Sequence, residues 1–268
     1  MERGEVMNIY EMILCFFIYG FLGWCTEVAF AAVKERRFVN RGFLNGPICP
    51  IYGVGVVMVA QLLMPYQSNL LLLYITSVIV VTALEWLTGF ALDKIFHNKW
   101  WDYSDMPFNL NGYVCLLFSL IWGVACVVIV KWIHPLIYKG VLFLPIWLVI
   151  TLDVILVIAV FTDLFVTVSK ILKVNQHLEK MEEIATELHR ISNEIGQNIS
   201  KDILGVIERR DDISGEMSEK ITELRKKYSE LAVRNAKNMK RLVKAFPRMT
   251  PRKHKEIIEE LKNYLKKK

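Results

Sequence analysis

In this 268-residue chain the residues best able to do chemistry are acids placed where acids are costly. Glu27, Glu85, Asp153 and Asp163 each lie inside a long apolar stretch. An ionised carboxylate at the centre of a bilayer costs about 2.5 to 3.5 kcal/mol even on lenient insertion scales, so such side chains turn toward a bundle interior. There they bind a cation, a proton or a cationic group, or they complete a hydrogen-bonded helix contact. Gly20, Gly23 and Glu27 share one helical face, which lets a neighbour approach where the carboxylate points. Glu85 shares a face with Thr82 and Gly89, Asp163 shares one with Thr167, and Asp153 lies nearer mid-membrane. Arg41 is a ready ion-pair partner for Glu27, a pairing that would close the space beside it.

Two polar runs accompany the acids. Arg41 to Gly55 carries Gly42, Gly46, Pro47, Pro50 and Gly53 between apolar segments, so the chain enters the membrane layer bent rather than as a smooth helix. Non-helical backbone at that depth survives only where protein or a watery cavity satisfies its amides. The second run, Trp101-Asp102-Tyr103-Ser104 to Asn109-Leu110-Asn111-Gly112, is either an interfacial turn or a set of ligands. Asn109, Asn111 and Gly112 either cap the next helix or aim amides at an anionic group. The candidate binding set is Glu27, Asn40, Arg41, Asn45, Tyr52, Glu85, Trp101, Asp102, Tyr103, Ser104, Asn109 and Asn111, with Asp153 and Asp163 secondary.

Other chemistries find little support. The chain has no Gly-x-x-x-x-Gly-Lys-Ser/Thr phosphate loop, no Gly-x-Ser-x-Gly and no His-Glu-x-x-His, so no catalytic residue is assigned and no cofactor is expected. His97 and His134 read as isolated interfacial histidines without a second His or Cys at ligand spacing, so no metal is expected. The five cysteines lie in or beside apolar segments without a Cys-x-x-Cys pair and read as packed thiols.

The elements that must position these residues follow from hydropathy. Residues 1–169 are mostly apolar and carry nine Lys/Arg against eleven Asp/Glu, whereas residues 170–268 carry 24 against 16. The mean hydropathy of +0.34 thus averages a membrane domain and a charged tail. A spanning helix needs roughly 20 apolar residues, and five segments meet that length: 9–33, 48–66, 70–96, 110–133 and 141–168. The first resembles a signal peptide only superficially, since it is long, contains Glu11 and Glu27 and follows an acidic-leaning leader, so it is expected to stay attached. Residues 65–69 predict a tight helical hairpin. Nine Lys/Arg flank one side of the spans and three the other, which predicts an outside N-terminus and a cytoplasmic tail. Both polar runs then share the cytoplasmic face, where they can meet.

The tail reads as helical over 170–210, 216–246 and 251–267. Leu178, Met181, Ala185, Leu188, Ser192, Ile195 and Ile199 form a heptad-like seam, and Met217, Ile221, Leu224, Tyr228, Leu231, Asn235 and Leu242 form a second one. Asp211 to Gly215 reads as the turn between them, giving an antiparallel hairpin or an oligomeric coiled coil, and Thr250-Pro251 reads as the N-cap of a final helix. From Lys220 onward 17 basic residues face 5 acidic ones. That excess suits anionic lipid or a protein partner; nucleic acid is not favoured. The fold expectation is therefore an all-α polytopic membrane protein with five transmembrane helices and a cytoplasmic, coiled-coil-like helical tail.

Several of these residues also occur together in a known pattern. Phe21-Leu22-Gly23-Trp24 through Glu27, Asn40-Arg41-Gly42-Phe43, Gly46-Pro47-Ile48-Cys49-Pro50-Ile51-Tyr52-Gly53, Glu85, Trp101 to Ser104, Asn109 to Gly112 and Trp122-Gly123 appear in matching order. The chain resembles the bacterial family labelled "putative ABC-transporter type IV permease" over roughly residues 12–168, and the tail is not covered. The resemblance implies a multi-pass protein of the bacterial plasma membrane, a transport component working with a separate ATPase subunit. Three function classes follow. The first is a permease-like subunit with a cytoplasm-facing polar pocket for a small solute or ion. The second is an interaction or sensing protein acting through the tail, as part of a homo-oligomer or with another partner. The third is a membrane-embedded enzyme acting on a lipid headgroup through Asp102, Tyr103, Asn109 and Arg41.

Overall fold

In the computed structural model residues 7–63, 66, 68–202 and 211–266 are described. Arg3 and the leader, Pro65 and Gln67 of the expected hairpin link, residues 203–210 and Lys267-Lys268 lie outside the described residues. The chain divides into two compact units. One comprises Met1–Ser169 with Lys244–Thr250, and the other Lys170–Val243 with Pro251–Lys268.

In the first unit, α1 (Ile9–Glu35) starts at Asn8, whose amide donates to the Glu11 carboxylate at 2.9 Å, and ends where Arg36 turns left-handed at φ 52°. α2 (Pro50–Leu63) follows, then α3 (Leu70–Phe96), opened by the Asn69 side chain accepting from the Leu72 amide and closed by left-handed His97 at φ 56°. His97 is thus a helix terminator. α4 (Leu116–Leu142) and α5 (Ile146–Asp202) complete the series.

Among the described residues four helices are long and apolar enough to cross a membrane, namely Ile9–Glu35, Leu70–Phe96, Leu116–Leu142 and Ile146–Ile195. The expected span 48–66 is realised only as the 14-residue α2. At ~1.5 Å per residue α2 is about 21 Å long, against the ~30 Å of a hydrocarbon core. The shortfall has a cause in the sequence: the Gly/Pro run keeps residues 36–49 out of helix and folds them back along α1, so that the Cys49 amide donates to the Gly20 carbonyl at 2.9 Å, near the middle of α1. Half of this passage is helix and half is folded loop.

A second correction concerns α4. Its expected segment stopped at Ile133, before Pro135; the helix instead continues to Leu142 through a π-turn at Ile129–Ile133, where the His134 amide donates to the Ile129 carbonyl. Pro135 has no amide to give, and a single wide turn absorbs the missing bond without breaking the helix. His134 is therefore fully buried, not interfacial. The fourth and fifth expected spans are displaced accordingly, with the turn between them at Phe143–Pro145.

Cores form along α1 and α2. Leu14, Cys15, Tyr19, Val56, Val57, Ala60, Tyr138, Val141 and Val149 make one cluster; Val59, Leu63, Leu73, Cys126, Val127 and Val130 make another. Phe17, Leu44 and Ile48 pack with Leu156, Val157 and Val160 in a third. Four of the five cysteines are buried and Cys25 is half-buried; all are free thiols.

In the second unit, α6 (Asp211–Ala245) runs antiparallel to the later part of α5: Asn235 meets His177 at 2.9 Å, and Lys220 meets Glu187 at 2.8 Å. Asp211–Gly215 is helical, so the expected turn there is not one. Ile191 is buried and Ser192 exposed, because the contact face follows the helix's own 3.6-residue period rather than the 3.5 of a strict heptad. α7 (Lys255–Lys266) buries Ile257, Ile258 and Leu261 and ties to α6 through Tyr228 donating to Glu260 at 2.8 Å. Thr250–Pro251 is a two-residue strand and not the N-cap expected, which puts the final helix four residues later.

Candidate functional site

The polar centre of the first unit is built on α1 and on two loops. With no side chain at Gly23, the Tyr52 ring lies directly on α1, and a Cβ placed there would overlap it. Gly53 does the same in reverse, bringing α2 to within 2.5 Å (from a notional Cβ) of the Phe16 carbonyl. This close approach sets Tyr52 beside Glu27, and its hydroxyl donates to the carboxylate at 2.7 Å. The other Glu27 oxygen lies 3.3 Å from the Arg41 Nε, while the guanidinium sits over the Phe30 ring. Glu27 is thus engaged on both oxygens. The ion pair anticipated between Glu27 and Arg41 is formed, with both side chains about a quarter exposed.

Glu85 differs. One oxygen accepts a long 3.4 Å hydrogen bond from the Tyr103 hydroxyl, and the other is buried without a hydrogen-bond partner. Tyr103 comes from the loop between α3 and α4, stacked on Phe118 with ring centres 5.0 Å apart. Burial and then the nearby Glu85 carboxylate push its phenol well above the ordinary tyrosine range, and Glu27 adds to the effect from slightly further away. Tyr103 is therefore bonded to one acid and within electrostatic reach of the other. Tyr52, edge-on to Trp122 at 5.7 Å, completes the wall.

The two polar runs come close at one edge. Phe43 packs edge-on to Trp100 at 5.1 Å, and Trp101 packs on Gly89 while its indole donates to the Tyr113 carbonyl at 2.7 Å. Yet many members of the expected binding set are occupied with holding the loops. The Asn40 side chain accepts from the Trp24 indole and the Gly42 amide and donates to the Asn45 carbonyl. The Asn45 amide group donates to Asp163 at 2.7 Å and to Thr167 at 2.9 Å, and Asp163 also accepts the Asn45 and Gly46 backbone amides. Asp163 is a backbone clamp.

In the second run, Asp102 accepts from the Ser104 amide and hydroxyl and faces Lys99 at 3.4 Å. Partial burial would raise its pKa, but the Ser104 bonds and the Lys99 charge outweigh it and hold the carboxyl below its usual range. Asn109 donates to the Ser104 and Met106 carbonyls and accepts the Gly112 amide. Short strands Asn109–Leu110 and Val114–Cys115 pair antiparallel around left-handed Asn111 (φ 58°) and Gly112 (φ 73°), where a two-residue left-handed run closes the hairpin. Asn111 is exposed at the tip, and α4 begins only at Leu116, so Asn109, Asn111 and Gly112 do not cap it.

Sequence reasoning passed over Asp93, buried and accepting a 2.5 Å hydrogen bond from Tyr113. Its signal was present: Glu85, Gly89 and Asp93 recur every four residues on one face of α3. Asp153 is brought to none of these groups; it lies with the buried cluster at the start of α1.

A family model described as "Putative ABC-transporter type IV" matches residues 14–168, which include Glu27, Glu85, Asp93, Asp102, Asp153 and Asp163. Comparison with curated proteins finds no match, and comparison with solved structures finds none either.

Proposed function

Because the chain belongs to the family described as "Putative ABC-transporter type IV", we propose that it is a permease-like membrane subunit whose Glu85 takes a small cation or cationic solute. Glu27, Tyr52 and Arg41 form the latch beside that acid. The observation that carries this reading is the buried Glu85 oxygen without a partner, next to a 3.4 Å contact loose enough for Tyr103 to yield. A positively charged group arriving there gains an acceptor already stripped of water, while Glu27 is neutralised by Arg41 until the latch opens. The pocket faces the cytoplasm, the tail is cytoplasmic, and the chain works in a bacterial plasma membrane with a separate ATPase subunit.

Reconstitution with and without co-purified partner tests this. Purification in mild detergent is expected to bring down an ATPase. Glu85→Gln is expected to abolish solute movement in vesicles while the protein still inserts; undiminished transport in Glu85→Gln would overturn the assignment.

A second reading rests on a different observation. The tail has its own buried core, from Val174 and Leu178 to Met239 and Ile258, and it carries the basic excess after Lys220. A self-supporting basic helical unit suits recruitment of an acidic protein or anionic lipid, or assembly with further copies of the chain. Deleting residues 175–268 without losing any co-purifying partner would remove this reading. The enzyme reading loses ground, since Asp102 and Asn109 spend their polar atoms on their own loop.

A further inference from the structure

The start of α1 carries a second polar cluster that the proposed function does not use. Glu11, Cys15 and Tyr19 recur every four residues on one face, and the end of α4 presents His134 and Tyr138 to it. The Tyr138 hydroxyl donates to Glu11 at 2.8 Å, Tyr19 and His134 Nδ1 share a 2.9 Å hydrogen bond, and Tyr138 stacks on the His134 ring. From α5 comes Asp153, near enough that it and Glu11 both act electrostatically on Cys15. α2 adds only Val56, Val57 and Ala60.

Two members of this cluster carry polar atoms without a hydrogen-bond partner. Asp153 is 5% exposed with neither oxygen hydrogen-bonded, and His134 is 0% exposed with Nε2 unbonded. Glu11 is already engaged by Tyr138 and by the Asn8 amide. Among the described residues neither Asp153 oxygen has a hydrogen-bond partner, and no three His, Cys, Asp or Glu gather to hold a metal. An ionised carboxylate so enclosed carries the full desolvation penalty; a proton on it removes the charge at once. The imidazole is a second uncommitted group in the same cluster, since either tautomer that satisfies Tyr19 leaves a donor or a lone pair on Nε2. The π-turn that lets α4 continue past Pro135 also puts His134 inside, and such turns recur at functional sites.

We propose that Asp153, tuned by the Tyr19–His134 pair, is a proton-binding site in the half of the membrane unit that holds the start of α1. It is separate from the Glu27 latch beside Glu85: Cys15, on which Asp153 acts, and Glu27 lie 12 residues apart on α1, about 18 Å at ~1.5 Å per residue.

Dicyclohexylcarbodiimide tests the assignment, because it adds to a carboxyl only when that carboxyl brings its own proton, leaving a stable acylurea. The full-length protein in detergent is treated across pH 6 to 9 and the adduct located by peptide mass spectrometry. The expected result is an adduct on Asp153 that falls at least about tenfold as pH rises through that range. In Tyr19→Phe and His134→Gln the pH of half-labelling is expected to move. No adduct on Asp153 at any pH overturns the proposal, as does labelling that sodium or potassium suppresses at fixed pH, which would mark a metal-cation site. An unmoved midpoint in both variants overturns the role of the Tyr19–His134 pair. Since the readout is labelling, a failure of Glu85→Gln to block transport leaves this result standing.

Discussion

Asp163 accepts the backbone amide of Gly46 at 2.7 Å, so an acid within an apolar helix serves to hold a loop that would otherwise bury bare peptide groups. The same carboxylate takes both the amide and the side chain of Asn45. In lipid-embedded protein the alternative to such a clamp is unsatisfied backbone.

Removing the clamp should cost stability before it costs anything else. Asp163→Ala removes the acceptor of the exposed Asn45 amide and the half-buried Gly46 amide, and a loss of about 0.5 to 1.5 kcal/mol, the net worth of an ordinary hydrogen bond, is expected for each. The measurement is the midpoint of thermal unfolding in detergent. A midpoint unchanged from wild type would show that the loop does not depend on this acid.

The two glycines of α1 and α4 should behave in opposite ways. Gly23→Ala drives a Cβ into the Tyr52 ring, whereas at Gly140 nothing lies within 4 Å of the added carbon. Gly140→Ala is expected to stabilise by about 0.5 to 1 kcal/mol, the usual gain of removing a helical glycine. Gly23→Ala is expected to destabilise by about 1 to 3 kcal/mol as an overpacked core does. Thermal melts of both variants, run side by side, check the contrast.

Glu27 and Arg41 should be energetically coupled, but modestly. Both are partly exposed, so a double-mutant cycle with Glu27→Gln and Arg41→Gln is expected to return about 0.2 to 1 kcal/mol. Tyr52→Phe is expected to weaken the pair further by freeing Glu27 to move. If the two single changes simply add, the latch described above does not exist.

Acid should loosen the Lys99–Gly112 loop through Asp102. Its folded-state pKa lies below the free value, so the stabilisation it supplies is fully present above the unfolded carboxylate value near 3.9 and disappears as pH falls through the lower folded value. Wild type is therefore expected to lose melting temperature below about pH 4 relative to Asp102→Asn. Parallel melting curves for the two proteins down to about pH 3 would count against it.

Much of the Glu27 environment was legible before the structure. The Gly20, Gly23, Glu27 face announces a close neighbour, and Arg41 follows the apolar segment at a distance that lets the chain fold back. Long apolar helices were equally plain, because hydrophobic length is a direct reading of bilayer thickness, although five spans were expected and the last two were displaced. What the sequence hid was backbone accommodation. A proline reads as a stop, so His134 was read as an isolated interfacial histidine, when one π-turn carries the helix on and buries the ring in the protein. The polar loop residues Asn40, Asn45 and Asp163 looked like ligands because composition cannot say whether a side chain is aimed at a guest or at its own backbone. Asn111 was misplaced for a related reason: left-handed turn geometry and helix capping draw on the same residue types.

The tight seat of Tyr52 and Ile48 on Gly23 and Gly20 has an electrical consequence. It separates the Asp153 cluster from the Glu27 and Glu85 cluster by a thin, weakly polarisable slab. Were water to reach both polar halves, as the two site proposals require, the membrane voltage would drop mainly across that slab instead of over the full bilayer. An elementary charge crossing it then experiences most of the ~2.3 kcal/mol available per 100 mV. A few side chains around the middle of α1 would become the insulation that the cell's resting potential works against.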